Sequence, residues 1–180
     1  MGGAHSKEGE EAYSIKLKKD KKLGEGQYGA VYKIIVKKTK LDCAGKFFKL
    51  QYQDMEKLQK LGYDRELEIL QKTSHPFVIK YMEEFIYKGE TLCIVTQFAN
   101  GGDFDSFMKM KKNFSEEEAL YYLTMLLLAL EYLHFKHIVH RDFKPSNIMI
   151  ESYPDGLNIL KVGDFGLSKI DLDQMKRKLT

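Results

Sequence analysis

Three side chains in two nearby stretches of this sequence have the types and spacing to move a phosphoryl group. In His140-Arg141-Asp142-Phe143-Lys144-Pro145-Ser146-Asn147 an acid and an amide stand five residues apart with a base between them. Asp142 can accept a hydroxyl proton, and Asn147 can offer an amide oxygen to a magnesium ion. Seventeen residues further on, Asp164-Phe165-Gly166 supplies a second, anionic metal ligand. Chemistry of that kind also requires a cradle for the phosphate chain and a scaffold that holds two loops in place.

The cradle is present near the start. Gly24-Glu25-Gly26-Gln27-Tyr28-Gly29-Ala30-Val31 fits G-x-G-x-x-G-x-V, in which small residues let backbone N–H groups close over phosphates without a Cβ clash. Alone, that pattern also fits a glycine-rich hairpin or a dinucleotide-binding fingerprint. The fingerprint needs a helix after its glycines, whereas Val31-Tyr32-Lys33-Ile34-Ile35-Val36 is β-branched and aromatic and reads as a strand. Before the glycines, Tyr13 to Leu23 alternates loosely and reads as an edge strand. After them, Cys43 to Phe48 reads as a third strand, and Phe77 to Ile86 and Thr91 to Phe98 as two more around a Gly89 turn.

Strand, glycine turn and strand, followed by the two catalytic stretches, resemble the eukaryotic protein kinase domain of the serine/threonine type position by position. The resemblance implies an α+β, bilobal fold: an N-lobe of five antiparallel strands plus one helix (αC), and a mainly helical C-lobe that is incomplete here. The expected organisation is a flexible leader over 1–12, the N-lobe over 13–98 and a partial C-lobe over 99–180. The implied substrates are ATP, with Mg2+ as cofactor, and protein serine or threonine hydroxyls. The run Phe98-Ala99-Asn100-Gly101-Gly102-Asp103 resembles NIMA-related and calcium/calmodulin-type kinases.

Carried over residue by residue, the resemblance makes Asp142 the general base and Lys144 the cation on the transferring phosphoryl group, a lysine typical of serine/threonine enzymes. Asn147 and Asp164 become the metal ligands. Lys46 becomes the phosphate-pairing lysine, with Lys49 a competitor if the register slips by three, and Glu66 the carboxylate that pairs with it. The nucleotide site takes Leu23, Gly24, Glu25, Gly26, Gln27, Tyr28, Gly29, Val31 and Ala44, then Thr96, Gln97, Ala99, Asp103 and Met149. Gly45 departs from the larger residue usual in the family. Arg141 is the expected partner of a phosphorylated activation loop.

Helical spacing of Leu58, Leu61, Leu67 and Leu70 predicts a helix over 54–72. Ser115 and Glu118 have capping-box spacing, and the run from Ala119 to His134 is apolar nearly all round, which predicts a buried central helix. His134, His137 and His140 stand three apart, but no acid or cysteine between them completes a ligand set, so His140 reads as a packed structural histidine.

The rest of the composition narrows the partners. A formal charge of +3 is too small to imply nucleic acid, and Cys43 and Cys93 have no metal-ligand spacing, which fits a reduced, cytoplasmic setting. Met1-Gly2-Gly3-Ala4-His5-Ser6 satisfies the M-G-x-x-x-[ST] rule for N-myristoylation, with lysines following, so a membrane is expected only if Gly2 is acylated. After Gly166 fourteen residues remain without an A-P-E segment. The central helix is then expected to show apolar surface, and the rival reading is a catalytically weak ATP-binding or partner-binding fragment. A small-molecule kinase of related fold is disfavoured by the His140-Arg141-Asp142-x-Lys144 pattern.

Overall fold

The computed structural model describes residues 7–26, 29–54, 56–57 and 62–170. The chain divides into two compact units, Met1–Asp64 with Tyr81–Phe98, and Arg65–Lys80 with Ala99–Thr180.

The first unit is an antiparallel sheet in the order β1-β3-β4-β6-β5, from Tyr13–Ser14 (β1), Gly29–Val36 (β3), Asp42–Gln51 (β4), Tyr81–Tyr87 (β5) and Thr91–Gln97 (β6); Lys22–Glu25 (β2) also pairs with β3. The six strands fill five lateral positions, because β1 and β2 share the outer edge of β3. The single edge strand expected over Tyr13 to Leu23 is therefore broken. Consecutive lysines give the middle of that segment nothing to bury, and Lys19–Lys21 closes into a 3-10 turn instead.

One face of the sheet carries the core: Tyr13, Ile34, Cys43, Phe47, Phe85, Cys93 and Val95. Both cysteines are free thiols, pushed up in pKa by burial. Although β1 and β5 lie at opposite ends of the strand order, Tyr13 stacks on Phe85 at 5.6 Å and its hydroxyl donates to Glu83 at 2.5 Å. The sheet thus curls until its margins meet. The short helix α1 (Lys7–Glu11) lies on β5, where Glu10 accepts from the Lys88 N–H at 2.8 Å. From Lys7 onward the expected flexible leader is thus a helix that closes this seam.

Within the helix expected over 54–72, Asp54 ends a 3-10 turn (Tyr52–Asp54), residues 56–57 are helical and α2 spans Tyr63–Lys72, while Leu58 and Leu61 lie outside the described residues. The strand expected from Phe77 is also divided. Residues 77–80 belong to the second unit, where Val78 bridges Val162, and pairing with β6 begins only at Tyr81.

The second unit holds α3 (Phe104–Lys111), α4 (Glu116–Phe135), β7 (Ile138–Val139), β8 (Ile148–Ser152), β9 (Asn158–Val162) and β10 (Lys169–Ile170). Asp103 caps α3 by accepting from the Ser106 N–H at 2.8 Å, and the Ser115–Glu118 capping box starts α4 as its spacing predicts. Phe104, Tyr122, Met125, Ile148, Ile150 and Leu160 form the core where α3 and α4 meet the β8–β9 hairpin. The central helix is not buried all round. Tyr122, Met125, Ala129 and Leu133 form one buried stripe, whereas Leu120, Leu123 and Leu127 are at least half exposed on the far side. A helix apolar on every face carries two stripes, and the described residues cover one. Among them, no helix is long and apolar enough to cross a membrane.

Candidate functional site

Strand alternation sorts the first unit's candidate residues. Val31 pairs with Lys46 and Lys46 with Ile94; Lys33 pairs with Ala44 and Ala44 with Thr96. Cross-strand partners share a face and neighbours two apart do too, so Val31, Ala44, Lys46 and Thr96 stand together on the face opposite the core. The ammonium of Lys46 lies 5.4 Å from the Phe48 ring centroid. Lys49 lies past the last β3–β4 pair, where the register of β4 against β6 shifts; it is exposed and pairs with Glu25 at 3.2 Å. Glu25 is also bound by Lys22, and these two cations hold its carboxyl below the usual carboxylate range.

Gly45 faces the core, where a Cβ would come within 3.0 Å of the Phe47 ring and 3.1 Å of Ile34. Glycine is what that aromatic packing admits. In the glycine hairpin only Gly29 is constrained by the protein itself, since a Cβ there would sit 2.3 Å from the Phe47 carbonyl oxygen. Around Gly24 and Gly26 no protein atom lies within 4 Å of the Cβ position. Among the described residues, packing sets no steric demand for glycine at these two positions. Leu23 is 47% exposed on β2, Gln97 closes β6 opposite Cys43, and Gln27 and Tyr28 lie outside the described residues.

In the second unit the catalytic stretch is held by a dense set of short bonds. The Asn147 amide nitrogen donates to the Asp142 carbonyl at 2.9 Å and to its carboxylate at 2.8 Å. The nitrogen is thereby spent, and the atom Asn147 has left to offer is its Oδ1. Lys144 binds the same carboxylate oxygen at 2.8 Å. Lys144 first, and Asn147 second, hold the Asp142 carboxyl below its ordinary range. Asp142 thus remains an anion with an acceptor oxygen outside these bonds.

His140 joins the two loops. Its buried ring donates from Nε2 to the Gly163 carbonyl at 2.9 Å, and Nδ1 accepts from the Asp142 N–H at 3.3 Å. Both nitrogens are used in packing the loops, and the ring lies 5.2 Å from buried Phe165. The Gly163 N–H donates to the Asn147 carbonyl at 2.9 Å, which sets Asp164 directly after a residue bonded to the other metal candidate. Asp164 is exposed, at φ 56°, with Oδ1 accepting from the Gly166 N–H at 3.4 Å. The structure thus brings Asp142, Lys144, Asn147 and Asp164 into one loop system.

Glu66 lies on the buried stripe of α2 with Tyr63, Ile69 and Leu70, unlike Glu68, which is exposed and pairs with Lys72. A carboxylate on an apolar stripe is costly unless something recruits it there, which separates Glu66 from its neighbours as its spacing suggests. Ala99 leads into the turn before α3, and Met149 on β8 bridges Asp103. Burial alone would raise the Asp103 carboxyl, but the Ser106 bonds hold it below the carboxylate range. Its first role is helix capping.

Several functional contacts have no sequence signal of their own. Ser168, fully buried, donates its hydroxyl to the His140 carbonyl at 3.0 Å, and Arg141 Nε donates to the Leu167 carbonyl at 2.6 Å. β10 then pairs with β7, so the segment after Gly166 is stitched to the catalytic stretch by backbone. The bend at Gly101 was equally unsignalled: a Cβ there would fall 2.5 Å from the Ser152 hydroxyl.

Comparison with known proteins gives the same picture from another side. A family model described as protein kinase domain matches residues 17–178. The serine/threonine-protein kinase Nek6 of Oryza sativa subsp. japonica is 33% identical over 155 residues, covering 85% of this chain and 28% of its own length. The human ribosomal protein S6 kinase alpha-2 is 35% identical over 177 residues, 96% of this chain and 23% of its own. A probable myosin light chain kinase of Dictyostelium discoideum is 35% identical over 160 residues, 89% of this chain and 49% of its own. The chain thus spans between about a quarter and a half of the length of these curated relatives.

Proposed function

The chain belongs to the protein kinase domain family, and on that premise we propose that it carries the ATP-using machinery of a serine/threonine protein kinase. The observation that carries this reading is the placement of Asp142, whose carboxyl group is bound on one oxygen by both Asn147 and Lys144. A carboxylate so oriented can accept the proton of a substrate hydroxyl as that oxygen attacks the γ-phosphorus and the β–γ bridging bond breaks. Lys144, 51% exposed at its side chain, is free to follow charge onto the transferring group.

The donor set fits a hard divalent cation, since Asn147 Oδ1 and the Asp164 carboxylate are both oxygen ligands. Magnesium held there would neutralise charge on the phosphate oxygens. Lys46, Val31, Ala44 and Thr96 would serve the nucleotide from their shared sheet face, with Gly24 and Gly26 admitting the phosphate chain. Relatives named as a serine/threonine-protein kinase, a ribosomal protein S6 kinase and a probable myosin light chain kinase favour protein substrates.

The test is magnesium-dependent transfer from ATP to a serine/threonine substrate, comparing the chain with Asp142→Asn and recording the nucleotide-induced thermal shift. Turnover that falls about 10²–10⁴-fold in the variant, with the thermal shift kept, supports the proposal. A thermal shift with no turnover in either chain supports the rival, a nucleotide-binding module. The apolar stripe of Leu120, Leu123 and Leu127 gives that rival a physical basis.

A further inference from the structure

Charge is unevenly placed on this chain. Its net charge is +3, yet from Lys16 to Lys40 nine lysines stand against two acids, Asp20 and Glu25. The fold gathers seven of the nine along one margin of the first unit. β1 pairs with the end of β3, Tyr13 opposite Val36, and the chain then runs back along the outer edge of β3 until Lys22 meets Tyr32. On the way Lys16, Lys18, Lys19 and Lys21 are all exposed. Around the end of β3, the turn before β4 adds exposed Lys37, Lys38 and Lys40. The Lys37 N–H donates to the Ala12 carbonyl at 2.8 Å, which joins that turn to the same margin. Asp20, 3.8 Å from Lys21, is the ion-pair partner these seven have among the described residues.

Two apolar side chains are exposed within this basic margin. Leu17, 41% exposed, stands between Lys16 and Lys18, and Leu41, 54% exposed, directly follows Lys40. Lysine ammonium groups on flexible stems suit a surface of headgroups, while leucines between them can enter the acyl boundary. A nucleic-acid site would be expected to offer arginine forks or rings for bases to stack on. This margin has no arginine and, among its described residues, no exposed aromatic ring.

We propose that this lysine–leucine margin is a docking surface for anionic lipid headgroups on a membrane. It stands apart from the phosphoryl-transfer reading and does not require a lipid on Gly2. An acyl chain there would add a second anchor to a surface that already binds.

The unacylated 180-residue chain is to be sedimented with vesicles of phosphatidylcholine alone or mixed with phosphatidylserine. Binding is expected only to the mixed vesicles and should weaken as salt rises. Neutralising three lysines in K37Q/K38Q/K40Q should lower the partition coefficient about a hundredfold, at about fivefold per charge, whereas K37R/K38R/K40R should keep it. Leu17→Gln should lower it further with unchanged thermal stability. Equal binding to both vesicle types, or no loss in the glutamine variant, would overturn the proposal. So would a short RNA duplex that binds more tightly at the same salt and displaces the chain from vesicles.

Discussion

The two units fix their chemistry by different means. In the first, Val31, Ala44, Lys46 and Thr96 point the same way because strands alternate, and the aromatic core on the opposite face holds those strands. In the second, Asp142, Asn147 and Asp164 sit in irregular backbone, and their positions depend on His140, on side-chain bonds to carbonyls and on two residues at positive φ, Arg141 at 63° and Asp164 at 56°. A face defined by periodicity tolerates loss of individual bonds provided its core survives. A loop held by hydrogen bonds should respond to loss of one bond while its hydrophobic packing is unchanged.

The largest test of this contrast is Phe85→Ala. Phe85 is fully buried beneath Tyr13 in the curled sheet, so truncation should cost about 3–5 kcal/mol. Denaturant unfolding would measure it, and loss of nucleotide binding should follow unfolding without a separate change in affinity. A loss below about 1 kcal/mol would mean that the core is not what holds the sheet face.

Next comes His140→Phe, which keeps an aromatic ring but removes both hydrogen bonds. The Asp142 N–H and the Gly163 carbonyl are left to find other partners, at about 1–3 kcal/mol for each one left unsatisfied. Here the informative readout is kinetic: kcat should fall while KM for ATP changes little, because the groups displaced are on the catalytic stretch. An unchanged kcat would show that the loop keeps its geometry without the histidine.

The same contrast explains what was legible in the sequence. The family's A-x-K spacing singled out Ala44 and Lys46, and their pairing with β3 and β6 sets the two on one face. The helix start at Ser115 and Glu118 was legible because capping is local. The limits of the first strand were not, since nothing local shows where sheet pairing gives way to a 3-10 turn at Lys19–Lys21. Hydrophobicity of the central helix gave its existence but not which stripe would be covered. The positive φ at Arg141 and Asp164 has no compositional mark in residues other than glycine. Residue types and the family resemblance reached the side chains of that loop, not its backbone.

A smaller effect separates the glycines. Gly29→Ala forces a Cβ toward a backbone oxygen and should cost about 1–3 kcal/mol of stability. Gly26→Ala meets no atom within 4 Å among the described residues, so its thermal midpoint should stay near that of the parent while nucleotide affinity falls. Equal destabilisation by both would place the constraint on Gly26 in the fold instead of in the ligand.

The smallest expected effect concerns protonation. Lys144, and after it Asn147, lower the Asp142 carboxyl in the folded chain. Because the folded value lies below the unfolded one, the associated stability is present above the unfolded carboxylate pKa of about 3.9 and is lost as pH falls through the folded value. The group is solvent-accessible, so the change in stability is small and the titration itself is the better observable. Lys144→Met should move the Asp142 carboxyl resonance upward in pKa, and the acidic limb of the kcat/KM profile should move up with it. If the resonance moves and the acidic limb does not, Asp142 is held by Lys144 but is not the group whose proton affinity limits the reaction.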